Sequence, residues 1–299
     1  MKNIIQLSII LVALVMATIA CDKIEEPFLR DGSKPVDTSA CPVPVFPSPP
    51  SPVQKVLLED YTGHTCVNCP GAAVLAHDLV QQYDGRLILM AIHAGWFAQP
   101  GSAPFDADYR TVAGTAWDDF FGVGLLGNPN GMINRAGYSQ NHILGPANWA
   151  AKVALEMTRT PVITLQLITE YDEAERKLCT HARSTFLQNV SEGLNIGFYL
   201  VEDSIVSAQK NNDPGVGSTP DILDYTHMHM LRDAINGSWG AALTSPDTTT
   251  TSGHQIITSY PYTIPLDFNP DHCKVIVFIY RTDTWEIIQV EEVEAVSKD

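Results

Sequence analysis

The chain has 299 residues, 45% of them hydrophobic, and a formal net charge of −16. That length exceeds one ordinary domain, and that composition supports a packed core. The strong negative charge argues against nucleic acid as a partner and against direct adhesion to an anionic lipid surface.

The N-terminus carries Lys2 and then an almost unbroken apolar stretch from Ile4 to Ile19, closed by Thr18-Ile19-Ala20-Cys21. This reads as a secretion signal rather than a folded helix. A cysteine directly after a small residue resembles a lipobox, in which Cys21 becomes the lipidated first residue; the alternative is an ordinary signal peptide with an incidental cysteine. Residues 1–21 are thus expected to be a lipoprotein signal peptide. The acidic stretch behind it, Asp22 to Glu26, resembles a surface-export signal of Bacteroidetes. The expected location is the outer membrane, lipid-anchored, with display at the cell surface as a hypothesis.

Residues 22–52 read as a tether. Pro42, Pro44, Pro47, Pro49, Pro50 and Pro52 favour extended polyproline II over helix or sheet. Cys41 stands at its edge.

Next comes Val56–Pro70, VLLEDYTGHTCVNCP. An apolar run predicts a strand, and Pro70 with the Ala-rich segment behind it predicts the start of a helix. Cys66 and Cys69 lie between them. A helix N-terminus stabilises a thiolate, so Cys66 is a candidate attacking thiol and Cys69 a resolving one. A static structural disulfide and a metal half-site are the competing readings; the second lacks another CxxC. The segment resembles the active-site run of a thioredoxin-fold protein. EDYTGHTCVNCP is similar, more specifically, to the twenty-eight-kilodalton outer-membrane lipoprotein family of Bacteroidetes. The thioredoxin resemblance implies that Asp60 assists proton transfer at the second cysteine. His64, two residues before Cys66, is a candidate for lowering its pKa or moving protons, with a solvent-exposed turn histidine as the plain alternative.

Arg86–His93 predicts a central parallel strand. Ala94 to Asp108 predicts a loop, Tyr109–Phe121 a helix, and Pro146–Met157 a helix closing this part. Between the last two lies Gly127-Asn128-Pro129-Asn130-Gly131. This is a strong turn sequence by itself. The thioredoxin resemblance makes Pro129 the candidate cis-proline beside the CxxC. A soft-metal site using His64, His93 and the two cysteines is a further alternative.

After Pro161 the pattern changes. Val162–Ile168, Leu194–Val201, Ile256–Leu266, Val275–Tyr280 and Trp285–Glu291 predict strands. The fold class expected is therefore an α/β thioredoxin-like domain, residues 53–160, followed by an all-β antiparallel sandwich domain, residues 161–299. Within the second part, DYTHMHMLRDAINGSWG resembles the same lipoprotein family. Its His227 and His229 would share a strand face, and packing is the expected role. Cys179 and Cys273 are expected to form a bridge, with Cys41 left over; two buried free thiols are the alternative.

No nucleophile elbow, P-loop or dinucleotide fingerprint is present, so no cofactor is expected. The function expected is thiol–disulfide exchange with protein thiols or disulfides of the envelope. The rival is a binding or structural lipoprotein with a static disulfide.

Overall fold

The computed structural model describes residues 41–297. The signal region, Cys21 and the first part of the tether lie outside the described residues.

A βαβ unit opens the described chain. Strand β1 (Val56–Thr62), helix α1 (Cys69–Tyr83) and strand β2 (Leu87–His93) follow in order. β1 and β2 are parallel, from Val56 opposite Leu87 to Thr62 opposite His93. Pro70 sits in the first turn of α1, where its missing N–H is not needed. Helix α2 (Val112–Phe121) starts at Thr111, whose side chain accepts from the Gly114 N–H. It stops at Gly122, in the left-handed region at φ 74°. Strand β3 (Asn130–Ile133) pairs antiparallel with the free side of β1. Helix α3 (Trp149–Glu156) follows.

The rest is strand: β4 (Ile163–Asp172), β5 (Lys177–Phe186), β6 (Leu194–Glu202), β7 (Ile205–Lys210), β8 (Asp221–His227), β9 (Met230–Ala234), β10 (Ala241–Thr244), β11 (Gln255–Thr263), β12 (Cys273–Arg281) and β13 (Ile287–Glu294).

These strands correct the expected fold class. There is no α/β thioredoxin-like domain followed by a separate antiparallel sandwich domain. One mixed eight-stranded sheet, in the order β13-β12-β6-β9-β2-β1-β3 with β10 on β6, runs through both halves of the sequence. β2 is apolar on both faces and needs a partner on its second edge. That partner is β9, joined at Ala91 opposite Met230, with the Ala91 N–H donating to His229 O at 2.8 Å. β9 in turn pairs antiparallel with β6.

Alternation decides which core each side chain enters. Leu57 and Tyr61 of β1, Ile88, Met90 and Ile92 of β2, Tyr199 and Val201 of β6, and Ile276, Phe278 and Tyr280 of β12 share one core with Trp117 and Phe121 of α2. This face joins both halves. The opposite face is divided. Over β1 and β2 it is covered by α1 and α3, with Ala76, Leu79, Trp149 and Val153 against Val56, Leu58, Leu87 and Leu89. Over β6, β12 and β13 it is covered by a second sheet, β11-β5-β4.

Residues 41–52, read as a free tether, are pinned to that second sheet. Phe46 is buried under the Arg183 guanidinium, 4.9 Å from its ring centre, and Arg183 donates to Pro47 O. Cys41 is joined to Cys179. The expected Cys179–Cys273 bridge is therefore corrected. Cys179 lies in β5 of the smaller sheet, opposite Glu170 and Pro261, whereas Cys273 opens β12 of the larger sheet, opposite Glu202. Cys273 is a buried free thiol, and burial pushes it up to about 12.

Candidate functional site

The turn between β1 and α1 is built by close backbone approach. At Gly63 a Cβ would meet the Phe97 carbonyl carbon at 2.3 Å, so only glycine fits. Thr65 fixes the next step: its N–H and hydroxyl both donate to Phe97 O, at 3.1 and 2.8 Å. The Cys66 N–H donates to Gly63 O at 3.0 Å. Cys69 begins α1, and its sulfur is joined to that of Cys66. The disulfide thus sits at the N-terminal end of a 15-residue helix, where a thiolate released from Cys66 would meet the positive end of the dipole.

A hairpin from the C-terminal half covers this turn. β7 and β8 pair only with each other among the described strands. Gln209 Nε2 donates to Cys66 O at 2.9 Å and to Gly63 O at 3.3 Å. The Lys210 N–H donates to His64 O, and the Asn212 N–H to Val67 O. Cys66 is 1% exposed and Cys69 2%, while Val67 between them is 38% exposed. Sequence reasoning missed this cover: Asn212 to Pro220 reads only as a loop, and the short strand before it, Ile205–Lys210, carries no strong strand pattern.

Behind the disulfide is a cavity of about 220 Å³. Alternation on β1 sends Asp60 and Thr62 to the α1 side of the sheet, and alternation on β2 sends Leu89, Ala91 and His93 there. Helix α1 adds Cys69, Pro70, Ala73 and Val74; the segment from Tyr225 to His229 closes the far wall. Asp60 is 3% exposed, its Oδ1 has no hydrogen-bond partner, and burial pushes its carboxyl up to about 7. His93 is 3% exposed with neither ring nitrogen partnered. Burial, and then the charges of His227, His64 and Arg232, hold it well below the usual imidazole range. His227 shares a hydrogen bond with Ser207 Oγ at 3.0 Å, and burial lowers it to about 4.

Of the expected residues, the structure brings Cys69, Asp60 and His93 to one cavity, with Cys66 joined to Cys69. His64 is neither exposed nor in that lining. It is buried, its Nε2 is 3.1 Å from Phe105 O, and it stacks on the Phe105 ring. Burial lowers its pKa. The Asn128–Pro129 bond is cis and leads directly into β3, whose Asn130 stands opposite Tyr61. Pro129 does not line the cavity. His227 and His229 do, though not as alternating residues of one strand: His227 ends β8, and His229 takes a left-handed φ of 55° before β9. Arg232 pairs with Glu202 and lies over the Phe268 ring. Trp239 packs with Phe120 and Trp285. Among the described residues, no group of three or more His, Cys, Asp or Glu is placed to hold a metal ion.

A family model described as outer membrane protein Omp28 matches residues 115–298, more than half of the chain. The match takes in Pro129 and His227 and begins after Asp60, Cys66, Cys69 and His93. Among solved structures, HBP35 of Porphyromonas gingivalis is similar at a TM-score of 0.58 and 15% identity, over 82% of this chain and 76% of that one. A protein of Agrobacterium tumefaciens is similar at a TM-score of 0.50 and 9% identity, over 83% and 97%. A domain of the outer membrane lipoprotein Omp28 from Porphyromonas gingivalis shares 21% identity over 45% of this chain and 88% of that one, at a TM-score of 0.30. No curated protein matches the chain.

Proposed function

We propose, for a chain that belongs to the Omp28 family of outer membrane proteins, that Cys66 and Cys69 carry out thiol–disulfide exchange with protein partners of the envelope. The family places the protein in the outer membrane. Lipidation at Cys21 is the proposed means of attachment, from the lipobox-like Thr18-Ile19-Ala20-Cys21.

One observation carries the exchange reading. A disulfide at a helix N-terminus shares a cavity wall with a buried carboxyl that has an unpartnered oxygen and a pKa near 7. Such a carboxyl is poised to give or take one proton near neutral pH. A partner dithiol would attack with one thiolate, form a mixed disulfide at Cys66, and release Cys69. Asp60 would then protonate the Cys69 sulfur. The partner's second thiol displaces Cys66, so the partner leaves as a disulfide and this protein as a dithiol. Two electrons and two protons move from partner to protein, and the reverse order oxidises Cys66 and Cys69.

Burial favours a second reading. Both cysteines are almost wholly covered, and Gln209, Lys210 and Asn212 hold the turn. That is the environment of a static bridge. Equilibrating the intact protein in defined glutathione or dithiothreitol buffers, with peptide-resolved alkylation, separates the two. A potential between about −120 and −270 mV with exchange in the folded state supports the oxidoreductase. A potential below about −300 mV, or reduction only on unfolding, makes the pair a staple.

A further inference from the structure

The cavity and the outer surface offer the disulfide two different approaches. From outside, a protein meets Val67 and Asn68 of the turn, with the β7–β8 hairpin over it. From the cavity, the lining includes Cys69 and leaves out Cys66. The mouth is marked by Val74 and Met228, 46% and 42% exposed, and by the exposed His77.

The cavity's chemistry defines what would enter. Asp60 Oδ1 and both ring nitrogens of His93 are buried without partners. Buried polar atoms in native proteins nearly always have one, so three around one cavity point to an occupant. Pro70, Val74, Leu89 and Met228 add apolar wall, beside the polar Thr62, Gln209 and Thr226. A space of about 220 Å³ excludes a folded partner. Burial also disfavours the charged forms of Asp60, His93 and His227, so the walls suit an uncharged guest.

Building on the exchange reading above, we propose that this cavity admits a small uncharged thiol that attacks Cys69 and expels Cys66. The thiol proton passes to the Asp60 carboxylate as the new sulfur–sulfur bond to Cys69 forms. The Cys66–Cys69 bond breaks, and Cys66 leaves with the electron pair as a thiolate at the helix N-terminus. A leaving thiol of low pKa departs faster, which favours this direction of cleavage over expulsion of Cys69. A second molecule of the thiol attacks the sulfur of the first. The small thiol departs as its own disulfide, Asp60 passes the first thiol's proton to Cys69, and the second thiol's proton goes to the Cys66 thiolate. Two thiols are oxidised to one disulfide, and one protein disulfide is reduced to two thiols.

The test uses the oxidised full-length protein with 2-mercaptoethanol and, as a charged probe of similar reach, 2-mercaptoethanesulfonate. Rates are divided by those on an exposed model disulfide. Samples quenched in acid are mapped by fragment ions to locate the mixed disulfide. The expected result is an adduct on Cys69 and a corrected rate at least tenfold higher for the uncharged thiol. Val74→Trp, at the exposed mouth, should slow that thiol about tenfold. As a second measurement, 2-hydroxyethyl disulfide should modify Cys69 in a reduced Cys66→Ser protein faster than it modifies Cys66 in Cys69→Ser. An adduct on Cys66, equal corrected rates, or the reverse order in the single-cysteine proteins would overturn the inference and leave exchange standing, with the cavity holding water only. A folded protein that neither monothiol reduces but dithiothreitol does would overturn the inference alone, and one that dithiothreitol also leaves oxidised would overturn both.

Discussion

The Cys41–Cys179 bridge joins residues 138 apart in sequence, whereas Cys66–Cys69 joins residues 3 apart. The long bridge fastens an extended, proline-rich segment across the smaller sheet, where helix or sheet hydrogen bonds cannot hold it. The short one fixes only a turn that already has its own hydrogen bonds to Gly63, Phe97 and Gln209. A bridge stabilises mainly by restricting the unfolded chain, more so for longer loops. By that measure the first is the structural disulfide, and the proposed exchange requires that the second open without loss of the fold. Only the second has an unpartnered acid in the cavity behind it.

The largest effect expected comes from removing the long bridge. Cys41→Ser with Cys179→Ser should lose about 5 kcal/mol of unfolding free energy, against about 2 kcal/mol for Cys66→Ser with Cys69→Ser. Urea denaturation of both variants measures this. Equal losses would break the comparison.

Asp60 should give the next largest signal, as a pH dependence. Its carboxyl is raised from 3.8 to about 7 in the folded state. Between those values the native protein holds more protons than the unfolded chain, so this group's contribution falls as pH rises, by about 4 kcal/mol across the window. His227, lowered from 6.5 to about 4, has the opposite sign and adds stability as pH rises over that range. Burial gives His93 the same sign as His227. Asp60→Asn should remove the fall and leave stability rising from pH 4 to 6.5. Urea midpoints between pH 4 and 8 decide it, and an unchanged profile would place the carboxylate in contact with water.

Phe46→Ala tests whether the strap is held by packing as well as by its bridge. A loss of about 3 kcal/mol is expected, with faster proteolysis within residues 41–52. No change would mean that the bridge alone holds it. The smallest effect is expected at Gln209→Ala, which leaves the Gly63 and Cys66 carbonyls without this donor. Stability should fall by about 1 kcal/mol, while a protein dithiol should reduce Cys66–Cys69 several-fold faster. A slower reaction would argue that the hairpin positions the turn for the partner instead of covering it.

Local features were legible in the chain because they depend on neighbours in sequence. The strand before Cys66, the proline-started helix after it, the strand ending at His93 and the runs that became β6, β12 and β13 carry their pattern in a few adjacent residues. β5 was not visible, since KLCTHARSTF is polar by composition and buried only because β4 and β11 flank it. β9 is only 5 residues long, and it is a strand because β2 and β6 lie on either side.

By itself, the sequence determined that a CxxC stands between a strand and a helix, and that Asp60 precedes it on that strand. Tertiary structure alone decided three things. It merged the two expected domains into one sheet, because both edges of β2 needed partners. It gave Cys179 to Cys41 instead of Cys273, because β5 and β12 belong to different sheets. It also brought Gln209 against the CxxC turn, and His227 and His229 to the cavity that Cys69 lines, from more than a hundred residues away in sequence. Contacts at such separations depend on which surfaces bury one another, and no local pattern of residues encodes that choice.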